Sequence, residues 1–144
     1  YLGYLVHVFT RSKLHQSLAR SLGAVWVGQA EEGMSDSLDG SIIFAPNGDL
    51  IPIALRHIRK GGTVALAGIY MSRLPSFRYE LIYGEKTLRS VANNTRQDVH
   101  DLLYYANEIP IHTEVKVYEL NQANEALQDL KAGIVNGAAV LKIN

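Results

Sequence analysis

The stretch VHVFTRSKLHQSLARSLGA, Val6 to Ala24, passes from an apolar run straight into a helical pattern. Leu5–Thr10 reads as a strand that is apolar on both faces, as buried parallel strands are. Lys13–Leu22 reads as a helix, with Leu14, Leu18 and Leu22 on one face, Ser12 as N-cap and Gly23 as its stop. Between them lies Thr10-Arg11-Ser12-Lys13, two hydroxyls and two cations with no acid in reach.

The same strand-to-helix alternation continues along the chain. Val25–Gly28 is a short strand, and Glu31–Gly40 is polar and reads as a loop or frayed turn. Ser41–Ala45 is a buried strand broken by Pro46-Asn47-Gly48. Asp49 can cap a helix with Leu50, Ile53, Ala54 and Ile58 inward, ended by Gly61-Gly62. Pro52 falls in its first turn, where a missing N–H costs little. Thr63–Ala67 is a strand closed by Gly68, and a short helix around Arg78–Tyr83 leads to the strand Thr87–Ala92. Thr95 can cap a helix with Val99, Leu102, Leu103 and Ala106 inward. Glu114–Leu120, Gln122–Ala132 (capped by Asn121) and Ala138–Ile143 close the chain as strand, helix and strand. Buried strands alternating with helices predict an α/β fold with a parallel, doubly wound sheet.

In such sheets ligands bind outside the carboxyl ends of the strands. The segments there are Thr10–Lys13, Ala45–Gly48, Gly68–Met71 and Ala92–Asn94. This pattern alone leaves a methyltransferase or another nucleotide-binding α/β domain open.

The bulk composition narrows the field. The chain has 144 residues, 47% hydrophobic and 19% charged, enough for a packed core and unlike a disordered segment. Basic and acidic residues balance at 14 each, so no global field draws it to nucleic acid. Residues 1–30 nevertheless contain no acid, while Arg11, Lys13 and Arg20 lie among them. The chain contains no cysteine, which excludes disulfides and thiolate zinc sites within it and fits a reducing, cytoplasmic setting. No apolar run approaches the length of a membrane span.

Several motifs are missing: G-x-G-x-x-G, the P-loop, G-x-S-x-G and H-E-x-x-H, as well as a Tyr followed four residues later by Lys. The five histidines show no ligand spacing, and His7 reads as a packed strand histidine. Tyr104 and Tyr105 read as covering the core.

The turn Thr10–Lys13 is the sharpest local signal. After the strand that carries adenosine-ribose recognition, an acid ordinarily accepts hydrogen bonds from the ribose hydroxyls; a 2′-phosphate needs hydroxyl and cationic donors instead. Arginine offers a planar fork for phosphate oxygens, lysine a point charge, and the helix start adds backbone N–H groups. An ordinary polar turn with exposed cations fits the spacing equally well, and both readings stay open at this point.

Taken together, VFTRS, ARSLGA, SIIFAP, IRKGGTVALAGIYMS, GEKTLRSVANNTR and ANEALQDLKAGIVNGAAVLKI resemble the medium-chain dehydrogenase/reductase family, in its zinc-dependent alcohol dehydrogenase branch. Their order and spacing match the family's carboxyl half over essentially the whole chain. The resemblance implies a Rossmann-like sheet lacking its first strand and glycine turn, plus a C-terminal β-α-β return segment. Tyr1-Leu2-Gly3 resembles the end of the helix after that first strand. Two parts are implied: residues 1–93, an NADP-binding domain, and residues 94–144, a segment that packs on a catalytic domain upstream of Tyr1.

Carried over by residue, the resemblance sets Thr10, Arg11, Ser12 and Lys13 at the 2′-phosphate. It sets Ala45 and Pro46 beside the adenine-side ribose. Ala67, Gly68 and Ile69, with Ser90, Val91 and Ala92, fall at the nicotinamide carboxamide. Gly137-Ala138-Ala139 stands where many relatives carry a pyrophosphate-binding Arg, so that contact has no counterpart. No catalytic residue and no metal ligand is assigned within the chain; zinc is expected only in the amino-terminal domain.

The implied activity is hydride transfer between NADP(H) and an alcohol or aldehyde by the whole enzyme. The chain alone is expected to be inactive, and a homo-oligomer without nucleic-acid or membrane partners is expected. A zinc-free quinone or enoyl reductase of the same superfamily, or a non-catalytic dinucleotide-binding module, are the alternatives. Without strand 1, the edges of Leu5–Thr10 and Ser41–Ala45 need partners, and re-pairing with each other is one expected outcome.

Overall fold

The structure, a computed structural model, describes residues 2–33 and 37–143. In chain order the elements are β1 (His7–Phe9), α1 (Lys13–Ser21), β2 (Trp26–Gly28), β3 (Leu38–Ile43), α2 (Leu50–His57) and β4 (Ile58–Leu66). They continue with β5 (Thr87–Ser90), α3 (Arg96–Glu108), β6 (Val115–Glu119), α4 (Ala123–Ala132) and β7 (Ala138–Lys142). Every ladder is parallel: β1 with β2, β3 with β4 and β4 with β5, and β6 with β7. This is the α/β architecture with parallel sheets that the alternation predicts.

The strands form separate sheets, β1-β2, β3-β4-β5 and β6-β7. In the Rossmann strand order 3-2-1-4-5-6 that the resemblance implies, the pair β2-β1 would take the first two places and β3-β4-β5 the last three. Among the described residues β1 and β3 do not pair, so the expected re-pairing of their edges does not occur. The Phe9 ring of β1 lies 5.7 Å from the His57 ring at the end of α2.

The dry core lies under β3-β4-β5. Ile51, Leu55 and Val64 are wholly buried, joined by Ile43 and Ile58, with Leu38, Leu66, Met71, Phe77 and Leu88 packed around them. Each such side chain contributes roughly 1.5–3 kcal/mol by leaving water. Lys86 Nζ donates to the Leu55 carbonyl at 2.6 Å and supplies a cation at the carboxyl end of α2.

Several strands are a residue or more shorter at their ends than the sequence reading gave, and the boundaries at β3, α2 and α4 differ for a visible reason. β3 starts at Leu38 rather than Ser41, because Leu38 pairs with Ile58 and Asp39 meets Arg59 Nε at 2.6 Å; Met34–Asp36 of the expected loop lie outside the described residues. α2 ends at His57, since Ile58 is already extended (φ −85°, ψ 145°). Gly61-Gly62 therefore belong to β4, not to a helix stop. Gly61 takes φ +73°, and a Cβ on Gly62 would sit 2.9 Å from the Asp39 carbonyl oxygen. The buried stripe of α2 is Ile51 and Leu55, with Leu50 and Ala54 at its margin and Ile53 half-buried. At the start of α4, Gln122 takes the cap position without a side-chain bond, because Asn121 belongs to a single 3₁₀ turn over Leu120–Gln122.

α3 corrects another expectation. Its start is capped as read: Asp98 N–H donates to Thr95 Oγ1 and Thr95 N–H donates to Asp98 Oδ2. The face expected inward is at the surface, with Leu102 and Leu103 more than 60% exposed. Tyr104 and Tyr105 touch edge to face and stay exposed instead of covering the core. Its apolar stripe has no counterpart among the described residues to bury it.

Among the described residues no helix is long and apolar enough to cross a membrane.

Candidate functional site

Because the ladders are parallel, Phe9, Ile43, Leu66 and Ser90 end their strands on the carboxyl edge. The residues singled out in the sequence follow those ends directly, in two groups.

The first group is the turn after β1. Thr10 N–H donates to the Gly28 carbonyl at 2.9 Å, extending the β1–β2 ladder by one residue. Ser12 then caps α1, its Oγ accepting from His15 N–H at 3.4 Å. The first turn of α1 contains no acid, so its open backbone N–H groups and positive dipole end meet no carboxylate. Arg11 and Lys13 are exposed. The Arg11 guanidinium and the Thr10 hydroxyl have no partner among the described residues.

The second group lines the ends of β3, β4 and β5. Ala67 N–H donates to the Ile43 carbonyl at 2.9 Å, and Val91 N–H to Leu66 at 3.0 Å. These bonds fix Ala67 and Val91 just past the sheet. Ala45 and Gly68 are brought together: a Cβ on Gly68 would lie 3.5 Å from the Phe44 oxygen and 3.8 Å from the Ala45 oxygen. Ser72 N–H donates to the Pro46 carbonyl at 3.3 Å, and Gly48 N–H donates to Ser72 Oγ at 2.8 Å. The Ile69–Phe77 loop is thereby laid over the start of α2, where a Cβ on Gly48 would come within 2.5 Å of the Arg73 oxygen. Ile69 is fully exposed and Phe44 and Val91 largely so, while Pro46, Ser90 and Ala92 are also at the surface. Exposed apolar residues clustered beside bare backbone suit a planar, partly apolar ligand.

The turn after β1 is therefore cationic, and the group at the ends of β3, β4 and β5 largely apolar. Sequence reasoning missed Ser72, which anchors Gly48, and Gln16, a polar side chain that is nearly wholly buried in α1. Ser72 carries no sequence signal. Gln16 carries one: it stands one helical turn after the Ser12 cap and three residues after Lys13.

The titratable groups that are shifted lie away from this edge. The Lys116 ammonium and then the Tyr118 hydroxyl hold the Asp129 carboxyl below the usual carboxylate range. The Asp129 partner in turn raises Lys116. The Arg78 fork lowers Glu80, and the Thr95 N–H and hydroxyl lower Asp98. All four are structural pairs or caps. Among the described residues no group of His, Asp or Glu could hold a metal ion.

No protein-family model matches the chain. It is 39% identical over 142 residues to the "probable alcohol dehydrogenase AdhA" of Mycobacterium tuberculosis, covering 98% of this chain and 41% of that protein. An alcohol dehydrogenase of Geobacillus stearothermophilus is 27% identical over 136 residues, covering 88% of this chain and 40% of the relative. The chain thus spans about two-fifths of the length of these curated relatives. Among solved structures, a cinnamyl alcohol dehydrogenase from Sorghum bicolor superposes with a TM-score of 0.85 at 21% identity, over 96% of this chain and 41% of that one. A mycobacterial quinone oxidoreductase superposes with a TM-score of 0.78 at 21% identity, over 99% of this chain and 50% of that one. These likenesses bear out the Rossmann-like fold.

Proposed function

We propose, for a chain whose sequence and fold are similar to those of alcohol dehydrogenases, that it belongs to a medium-chain dehydrogenase/reductase and binds NADP(H) for the oxidation of alcohols or reduction of aldehydes by the whole enzyme. Residues 1–93 are the dinucleotide-binding part, and residues 94–144 pack on a catalytic domain. The carrying observation is the Arg11 guanidinium, unpartnered among the described residues on an acid-free turn at the carboxyl end of β1.

The described residues fit such a group. Arg11 would present its fork to phosphate oxygens, Lys13 a point charge, and Thr10 and Ser12 hydroxyl donors. The start of α1 adds N–H groups of the same polarity. Ala45 and Pro46 would bound the adenine-side ribose, and Ala67–Ile69 with Ser90–Ala92 would orient the carboxamide. A bound nicotinamide supplies the hydride-carrying carbon; the chain's contribution is orientation and electrostatics. Zinc does not fit here: the described residues offer no ligand set, so no step through a metal is assigned to this chain.

Arg11→Glu tests the reading. It should weaken NADPH binding by about 1.5–3 kcal/mol and NADH binding far less, measured by titration of the full-length protein. Equal loss for both cofactors, or none, removes the 2′-phosphate assignment. The likeness to a quinone oxidoreductase keeps a zinc-free quinone or enoyl reductase as a second reading. A stoichiometric zinc whose chelation abolishes alcohol turnover decides against that second reading.

A further inference from the structure

One residue ties together three of the four members of the cationic turn. Gln16 is 3% exposed, the buried polar side chain among the described residues. Its Nε2 donates to the Thr10 carbonyl at 2.8 Å, its Oε1 accepts from Lys13 Nζ at 3.3 Å, and its backbone N–H donates to the Ser12 carbonyl at 2.9 Å. Only Arg11 is left untouched.

The consequences follow from peptide geometry. A trans peptide points its carbonyl and its N–H in opposite directions. With the Thr10 carbonyl drawn onto Gln16, the Arg11 N–H points away from the buried amide, and it has no partner among the described residues. An acceptor that would repel an anion is thus turned inward, and a donor outward. Lys13 commits one of its three N–H donors to Gln16 and keeps two. Shielding from water strengthens these bonds relative to those of an exposed glutamine.

We propose that Gln16 is a positioning residue: it holds Thr10–Lys13 in the form that accepts a phosphate, and so sets the preference for a 2′-phosphorylated dinucleotide without touching it. The inference rests on the NADP(H) reading above and adds to it a residue outside the turn.

The test measures dissociation constants of NADPH and NADH on the full-length protein and on Gln16→Met, which keeps side-chain length but neither bond. NADPH should bind about five- to tenfold more weakly while NADH changes less than twofold. A merely structural role would weaken both alike. Gln16→Leu, which adds no charge and removes both side-chain bonds, covers the case in which Gln16→Met does not fold; it too should lower the NADPH preference. An unchanged NADPH-to-NADH ratio in the foldable variant, with Arg11→Glu still discriminating, overturns the role of Gln16 and leaves the cofactor reading standing. If Arg11→Glu also fails to discriminate, both fall.

Discussion

The two β–α–β units at the start of the chain are built from similar parts and packed for different ends. In β3–α2–β4 the helix buries Ile51 and Leu55 completely and anchors the core. In β1–α1–β2 the buried helical residue is Gln16, whose partners lie in the turn at the strand's carboxyl end. The leucine stripe of α1 stays near the surface: Leu14 is 46% exposed, and Leu18 and Leu22 line an open apolar groove with Val6 and Val8. One unit spends its interior on stability, the other on holding a polar turn in shape. A binding edge needs both, because ligand-facing backbone is positioned only as well as the scaffold beneath it.

That contrast is most easily broken by stability measurements. Leu55→Ala should cost roughly 2–5 kcal/mol in denaturant unfolding, as buried leucine truncations do. Leu14→Ala should stay within about 0.5 kcal/mol, as for surface changes. Equal losses would mean that α1 is a core helix after all, and the contrast would fail.

A smaller effect sharpens the comparison from outside both units. In β6–α4–β7, Lys116 and Tyr118 hold Asp129 charged, at 2.7 Å and 2.8 Å. A carboxyl lowered in the folded state stabilises above its ordinary range, and that stabilisation fades as acid protonates it. Unfolding midpoints should therefore fall between about pH 5 and pH 2, with Asp129→Asn flattening that slope. Raised Lys116 adds no pH dependence near neutrality, because its contribution is lost only above the ordinary lysine range. An unaltered acid slope in Asp129→Asn would assign the effect to other carboxylates.

Much of the fold was legible because local signals agreed with one another. Ser12 and Thr95 both cap the helices they precede, and the apolar runs became parallel strands, although Leu5, Val6, Ile42 and Phe44, read as buried, lie at the surface. The α2–β4 boundary was not legible, since Ile51, Leu55 and Ile58 satisfy a helical repeat; only pairing with Leu38 makes Ile58 the start of a strand. The sequence of α3 announces an amphipathic helix but not what meets its apolar face. At the site, the composition of Thr10–Lys13 was plain, and the arrangement of the residues that brace it was not. The spacing of Gln16 from Ser12 and Lys13 could be read from the sequence, but its burial is decided by tertiary packing.

The central claim is that this chain carries a 2′-phosphate-reading dinucleotide site. The most direct measurement is the pair of dissociation constants for NADPH and NADH on the unaltered full-length protein at one fixed ionic strength. The account predicts NADPH to bind at least about tenfold more tightly, one charge-assisted phosphate contact or more. Equal affinity, or tighter binding of NADH, would contradict it.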